Sequence, residues 1–350
     1  MTTNTARPSV LWQPRLPGIR AGFLLLPLFS GMTTMASSYA KPYLSLSDQL
    51  SLLRQRGLII TEDAAAEDCL HRNGYYRLSA YWYPFREIIA GSRSNRFLVG
   101  SRFDDAIALY VFDKQFKLLL IDALERVEIA VRVEIALLLG QRDPFAHTHA
   151  SSFHTQFTTQ RGPSGRTRYE DWMDKFESQV ARSKDEFVLH YERQYGSRTP
   201  LPIWIAIELW DFGALSHLYS GLEIIDRVSV ARRFSVPDWK IMQSWLRCLN
   251  YVRNVIAHHG RLWNLNLSEN PKLPKLGEMR NFDVLRPLPN VTTRVYSICC
   301  ILAHLSQVIN SGSSWSADLK NLVDNFPDIA HASAQQMGFS VNWQQHSFWR

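Results

Sequence analysis

One stretch of the chain, Leu249–Asn264 with the sequence LNYVRNVIAHHGRLWN, concentrates side chains that can handle phosphate and protons. From Asn250 to Asn264 it holds two arginines, three asparagines and two adjacent histidines. A histidine exchanges protons near neutral pH, and an arginine offers phosphate a planar fork of donors. This combination suits cleavage of a phosphodiester. In RNA the ribose 2′-OH supplies the nucleophile, so no metal ion or protein nucleophile is required, and the product would carry a 2′,3′-cyclic phosphate.

The stretch belongs to a predicted helix that runs from Asp238, a candidate N-cap, to about His259. At about 100° per residue, an apolar stripe faces the core and consists of Met242, Trp245, Leu246, Leu249, Val252 and Ile256. A polar stripe with the same steps consists of Arg247, Asn250, Asn254, His258 and Arg261. His259 points elsewhere and is predicted to be a capping residue.

Arg253 lies between the two stripes, five residues before His258. On an ideal helix their Cα–Cβ directions therefore diverge by roughly 140°. Both side chains can reach one phosphate only if the helix distorts or the arginine wraps around it. This angle favours a site that a second copy of the chain completes, and we expect a homodimer.

The same residues also allow a structural interpretation. The polar stripe would then be hydrogen-bonded to neighbouring helices, and the two histidines would lie where the helix dipole favours positive charge. The spacing alone does not decide, because Arg142 and His147 repeat it in a loop that Pro144 breaks. The surroundings of Arg253 must separate the two interpretations.

The elements that position these residues are predicted to be helices, with almost no strand signal, so the fold class is all-α. The range Phe103–Leu139 contains no glycine or proline and is predicted to form one long helix or two in tandem. Its segment FKLLLIDAL is apolar nearly all round, which indicates a central, buried helix. Glu128 and Arg132 on this helix are four residues apart and can form an internal ion pair or support the site.

Composition narrows the class of protein. The chain has 350 residues and a formal net charge of +7, which is compatible with a polyanionic partner such as RNA and also with an ordinary, mildly basic protein. Its four cysteines form no CxxC pair and no zinc spacing, which fits a reducing, cytoplasmic compartment. No segment has transmembrane length without charge, so we expect no membrane association.

A loop with His147, His149 and His154 raises the question of a metal site. No acidic or cysteine ligand lies nearby at matching spacing, so an exposed polar loop is expected there. We accordingly expect neither a metal ion nor another cofactor. Stoichiometric metal in the purified protein would support the alternative hypothesis, a metalloenzyme that uses these three histidines.

Residues 1–38 are irregular and are expected to be disordered or not part of the translated protein. The segment AGFLLLPLF, Ala21–Phe29, resembles the apolar region of a signal peptide and is too short to span a membrane. The alternative is that translation begins at Met32 or Met35. We favour the later start, because convincing domain sequence begins only at Lys41.

Several blocks of the chain together resemble the Abi-like family, of the AbiD/AbiF type of abortive-infection proteins. RNVIAH, Arg253–His258, matches the R-x4-6-H motif of HEPN-domain ribonucleases, within the longer block SWLRCLNYVRNVIAHHGRLWN. The other blocks, in the same order as in the family, are KPYLSLSDQLSLLRQRGLII, HRNGYYRLSAYWYPFR, YVFDKQFKLLLIDALERVEIAVRVEIA and PIWIAIELWDFGALSHLY. The resemblance covers about Lys41–Asn310.

This resemblance implies an all-α, HEPN-type helical bundle with additional N-terminal and C-terminal helices. We expect a domain at 39–310, preceded by the extension 1–38 and followed by a tail at 311–350. The implied function is phage defence through RNA cleavage at a site shared across a dimer, with an RNA or protein antitoxin as a further partner. The alternative is a non-catalytic, antitoxin-like regulator that binds RNA or another partner with the same polar cleft.

Individual positions are carried over from the family motif only where they match it. Arg253 and His258 match the motif's arginine and histidine, and Asn254 matches the polar residue after the arginine. Around these three expected catalytic residues, the supporting or RNA-binding residues are expected to be Arg247, Asn250, Arg261, Glu128 and Arg132.

Overall fold

The computed structural model describes residues 42–350, and the predicted extension at residues 1–38 lies outside them. The described part confirms the all-α fold class, with fourteen α-helices and one short hairpin. The helices are α1 (Leu46–Gln55), α2 (Asp63–Asn73), α3 (Tyr75–Trp82), α4 (Phe103–Gly140), α5 (Thr155–Thr159), α6 (Arg168–Arg182), α7 (Glu186–Tyr195), α8 (Ile203–Ala206), α9 (Phe212–Gly221), α10 (Ile224–Arg233), α11 (Trp239–Ala257), α12 (Arg280–Asp283), α13 (Val295–Ile309) and α14 (Trp315–Asp324). None of the helices within 42–350 combines the length and the apolar run that a membrane crossing requires.

Helix α4 is the centre of the packing, and of the two predicted alternatives it is the single long helix. It has 38 residues and is therefore about 57 Å long. Asp104 and Asp105 lie in its first turn, where the helix dipole favours acidic side chains. Seven other helices pack against it, namely α3, α8, α9, α10, α11, α13 and α14. Because α4 contacts both α9 and α11, it fixes the position of the polar stretch relative to the rest of the core.

Helix α11 confirms the predicted apolar stripe, since Trp245, Leu249 and the other apolar residues of the stripe are buried. Asp238 is its N-cap, as predicted, and its side chain accepts a hydrogen bond from the backbone N–H of Lys240 at 2.8 Å. The helix ends at Ala257, two residues earlier than the predicted end.

The early end of α11 is built by a left-handed residue that is not glycine. His259 has φ +57°, and its N–H donates to the carbonyl of Ile256 at 2.9 Å. The N–H of Gly260 reaches back to the carbonyl of Val255 at 2.8 Å. This pair of bonds closes the C-terminus of the helix. His259 is thus a capping residue, as predicted.

A two-stranded antiparallel hairpin, β1 (Arg86–Ile89) and β2 (Ser92–Phe97), follows α3. The sequence of β2, SRSNRF, has no apolar alternation, which explains why the strand signal was missed. Side-chain bonds compensate for this, because the guanidinium of Arg93 donates to the carbonyls of Pro84 (2.8 Å) and Arg86 (2.9 Å).

Residues 311–350, the predicted tail, lie in the same compact unit as the rest of residues 44–350. The indole N–H of Trp315 at the start of α14 donates to the carbonyl of Leu119 on α4 at 2.8 Å. Trp343 and Trp349 near the end of the chain are buried. These aromatic residues attach the C-terminal segment to the core.

Candidate functional site

A cleft of about 490 Å³ opens along the polar face of α11. The wall from α11 consists of Gln243, Arg247, Asn250, Tyr251 and Asn254. The rest of the lining consists of Gly213, Ser216, His217 and Ser220 of α9, with Arg168 and Glu269. Three residues of the predicted polar stripe, Arg247, Asn250 and Asn254, therefore share one cleft.

Helix α11 approaches the start of α9 at Gly213. A Cβ at this position would lie 3.2 Å from the carboxylate of Asp211 and 3.5 Å from the amide of Asn250. Asp211 is the N-cap of α9 and accepts a hydrogen bond from the N–H of Ala214 at 2.7 Å. The amide of Asn250 thus lies against the first turn of α9.

Arg253 lies on the side of α11 that faces α4. Its guanidinium donates to the side-chain carbonyl of Asn254 at 3.3 Å. Burial raises the pKa of Glu128, and the positive charges of Arg132 and Arg253 act in the opposite direction. Arg253 therefore lies within electrostatic reach of the buried Glu128 on α4.

Glu128 and Arg132 form the ion pair that their spacing allowed. Arg132 Nη2 lies 2.6 Å from Glu128 Oε1 and also donates to the carbonyl of Trp210 at 2.6 Å. Trp210 immediately precedes the N-cap of α9. The pair thus joins α4 to the start of α9.

His258 is the C-cap of α11, where its N–H donates to the carbonyl of Asn254 at 3.0 Å. Its side chain is exposed and does not line the cleft. Among residues 42–350 the imidazole has no hydrogen-bond partner. Arg253, Asn254 and His258 thus lie together in the last turn and a half of the helix, and the histidine is open to solvent.

Arg261 does not continue the polar stripe, because the helix has already ended. Its guanidinium donates instead to the carbonyl of Ala80 at the end of α3. This corrects the wheel-based prediction that Arg261 lies beside His258. The residue stabilises the loop after α11, and its guanidinium is turned toward α3.

The loop after α11 is held by Asp113, a completely buried carboxylate on α4. It accepts hydrogen bonds from the N–H groups of Leu262 (3.1 Å) and Trp263 and from the hydroxyl of Tyr81 (2.7 Å). Lys117 pairs with Asp113 at 3.2 Å and also donates to the carbonyl of Gly260 at 3.1 Å. Buried acceptors with this many donors fix backbone position, so the end of the helix that carries His258 is rigidly anchored.

The structure corrects part of the prediction for the histidine loop. His147 is completely buried, with its ring against Phe176 and Trp210, whereas an exposed loop was expected. His149 is exposed and pairs with Asp143 at 2.9 Å. No group of three or more His, Cys, Asp or Glu side chains in residues 42–350 is arranged to hold a metal ion.

Two basic residues of the cleft, His217 of α9 and Arg168 of α6, were not predicted from the sequence. Both lie far from Leu249–Asn264 in the chain, and no spacing rule connects them with α11. The only available signal was that His217 belongs to the block PIWIAIELWDFGALSHLY. Tertiary packing alone brings these two cationic or ionisable groups to the cleft.

Fold and site together define an all-α protein that carries an Arg-x4-His pair at an anchored helix end beside a polar cleft. The family model described as Abi-like protein matches residues 68–264, which is more than half of the chain. The chain therefore belongs to the Abi-like protein family, and this membership supports a general role in abortive infection, a form of phage defence. No curated protein and no solved structure gave a significant match to the chain.

Proposed function

We propose that this protein acts in abortive infection as a metal-independent endoribonuclease of the HEPN type, with its site at the C-terminal end of α11. The observation that carries the proposal is that Arg253, Asn254 and His258 lie together there without being used by the fold. Arg253 bonds only to its neighbour Asn254, and the imidazole of His258 is exposed and has no bond within residues 42–350.

The chemistry requires two kinds of group. His258 accepts the proton of the ribose 2′-OH as the 2′-oxygen bonds to phosphorus. The bond from phosphorus to the 5′-oxygen breaks, and the 5′-oxygen takes a proton from solvent. Arg253 stabilises the negative charge that develops on the phosphoryl oxygens, and Asn254 donates a hydrogen bond to the same group.

In this proposal a second copy of the chain completes the site, because the arginine and the histidine of one copy point in different directions. Arg253 and His258 diverge by roughly 140° along one helix, so one copy contributes the arginine and the other the histidine. In a two-fold dimer this arrangement produces two equivalent sites. Glu128 is within electrostatic reach of Arg253 and is itself paired with Arg132, so we assign these two residues a supporting role.

The test is cleavage of RNA by the purified protein in the presence of EDTA. Wild-type protein should cleave and leave a 2′,3′-cyclic phosphate, because the nucleophile is the substrate's own hydroxyl. Arg253→Ala and His258→Ala should each lower the rate about 10²- to 10⁴-fold, the range for loss of a proton-transfer or charge-stabilising group.

The matched control is His259→Gly, since glycine adopts the left-handed conformation of His259 without strain. It removes the adjacent imidazole and should leave the rate unchanged. Equal rates for wild type and the Arg253→Ala/His258→Ala double variant would refute the proposed site.

A second candidate function is a non-catalytic RNA-binding or partner-binding regulator of the antitoxin type. It is favoured by one observation, that His258 lies outside the cleft lined by Arg247, Asn250 and Asn254. It predicts salt-dependent RNA binding without cleavage, and unchanged phage protection by His258→Ala. An RNA or protein antitoxin and a cytoplasmic location remain predictions under both functions.

A further inference from the structure

The cleft beside α11 does not end at α9. A second cleft of about 430 Å³ continues against α6. Arg168, Gly213 and His217 line both clefts. We call the combined surface the α6–α11 groove, which runs from Lys175 and Gln179 on α6 past His217 to Asn254 on α11.

The basic side chains of this groove form no ion pairs within residues 42–350, whereas two of its three acidic side chains already have partners there. Arg168, Lys175 and Arg247 are exposed and form no ion pair with any residue in 42–350. The acidic lining residues are Asp171, Asp211 and Glu269. Asp171 pairs with Arg166 at 3.2 Å, and Asp211 caps α9. The three cations are therefore available to pair with an anionic ligand.

His217 lies where the two clefts meet and is held in place by an aromatic neighbour. Its ring packs against Phe157 with a centroid distance of 5.8 Å. Burial lowers the pKa of His217, and the charges of Arg168 and Lys175 lower it further. A neutral imidazole flanked by two cations can exchange hydrogen bonds with a ribose hydroxyl or donate one to a phosphate.

Amides complete the lining of the groove. Gln179 lies at the α6 side, and Gln243, Asn250 and Asn254 lie at the α11 side. Each amide offers both donors and an acceptor, as base edges and ribose hydroxyls require. Base edges are open to such amides in a single strand, whereas they are paired in an RNA duplex.

We propose that the α6–α11 groove binds the phosphodiester backbone of single-stranded RNA, with Arg168, Lys175 and Arg247 at the phosphates and His217 at a ribose or phosphate oxygen. This inference rests on the proposed function, because it supplies the path by which a strand reaches the helix end that carries Arg253 and His258. Asn254 belongs to both the groove and the proposed catalytic group, which makes the two surfaces continuous.

The experiment measures binding of a labelled single-stranded oligouridine to full-length His258→Ala protein over a range of salt concentrations. Adding Arg168→Ala, Lys175→Ala and Arg247→Ala to this protein should weaken binding several-fold. The slope of log affinity against log salt should fall by about 2, at roughly 0.7 for each lost contact with a single strand. A duplex of the same length should compete poorly.

The matched control carries Arg182→Ala, Lys184→Ala and Arg193→Ala, which remove three exposed charges outside the groove. It should retain the affinity and slope of the His258→Ala protein. Thermal unfolding checks that both triple variants are folded. If one of them is not, its three single substitutions are tested separately in its place. Equal losses in the two triple variants, preference for the duplex, or no binding of the oligouridine would overturn the proposal.

The two proposals fail in different ways. If the wild-type protein does not cleave RNA but the groove variants lose RNA binding selectively, the RNA-binding groove is supported and the nuclease activity is refuted. If the wild-type protein cleaves RNA, and the groove variants bind and cleave RNA as well as the control variant does, the nuclease activity is supported and the RNA-binding groove is refuted.

Discussion

The chain contains two Arg-x4-His pairs with the same spacing, and the fold treats them in opposite ways. Arg142 forms a two-pronged ion pair with the buried carboxylate of Asp226, one contact of which is 2.8 Å long. His147 is completely buried. Arg253 bonds only to its neighbour, and His258 is exposed. Equal spacing therefore does not define a site: the fold uses the first pair for an ion pair and a buried ring, whereas it leaves His258 exposed and Arg253 bonded only to its neighbour.

The difference follows from what each pair is attached to. Helix α4 ends at Gly140, and Pro144 prevents the chain from continuing it, so Arg142 and His147 turn toward different neighbours. Arg253 and His258 are at the end of a continuous helix, and the loop after it is bound to the buried Asp113. The second arrangement fixes the backbone and leaves the side chains available.

The largest effect on stability is expected at the bonded arginine. Arg142→Ala should lower the free energy of unfolding by about 3 kcal/mol, because it leaves the buried carboxylate of Asp226 without its partner. Arg253→Ala should lower it by less than about 1 kcal/mol, since its only bond is to Asn254. Urea unfolding of both variants measures the contrast.

Arg142→Ala/Asp226→Asn is the control for the first variant, because it removes the uncompensated charge together with the pair. It should recover part of the loss. A larger destabilisation by Arg253→Ala than by Arg142→Ala would reverse the comparison and would make Arg253 a structural residue.

An effect that depends on pH, and that reaches its full size only below pH 4, is expected at the buried histidine. Burial lowers the pKa of His147 from 6.5 to about 4. Because the unfolded chain then binds a proton that the folded chain does not, stability is full above pH 6.5 and falls as the pH drops toward 4. The shift corresponds to a loss of about 3 kcal/mol when the pH is below both values, and most of it is reached only near pH 4.

His147→Phe keeps an aromatic ring against Phe176 and Trp210 and removes the titrating group. Urea unfolding between pH 4 and pH 7 should show a flatter pH dependence for this variant than for wild type. His190→Gln, at an exposed position, serves as the control and should retain the wild-type dependence. The same pH dependence in His147→Phe and wild type would show that His147 does not titrate in this way.

Much of the fold around the site was predictable from the sequence, because it depends on local patterns of apolar and polar residues. Apolar periodicity predicted α4 and the core stripe of α11, and the polar stripe predicted that Arg247, Asn250 and Asn254 share a surface. His259 was predicted as a capping residue, but its left-handed conformation and the earlier end of α11 were not predictable, since the loop is held by Asp113, far away in the sequence. This is why Arg261 was placed in the site although it bonds to Ala80.

The remainder of the site depends on contacts that no local pattern encodes. His217 and Arg168 reach the cleft only because α9 and α6 pack beside α11. Glu128 and Arg132 were recognisable as a pair from their spacing, and only the structure shows that they connect α4 to the start of α9.

The most direct test of the central claim is the RNA-cleaving activity of a mixed dimer, with Arg253→Ala in one subunit and His258→Ala in the other. Different affinity tags on the two co-expressed chains allow its isolation. If the arginine of one copy works with the histidine of the other, the mixed dimer keeps one intact site of two and about half of the wild-type rate. Each variant alone stays inactive. A mixed dimer no more active than either variant alone would contradict a site shared between copies.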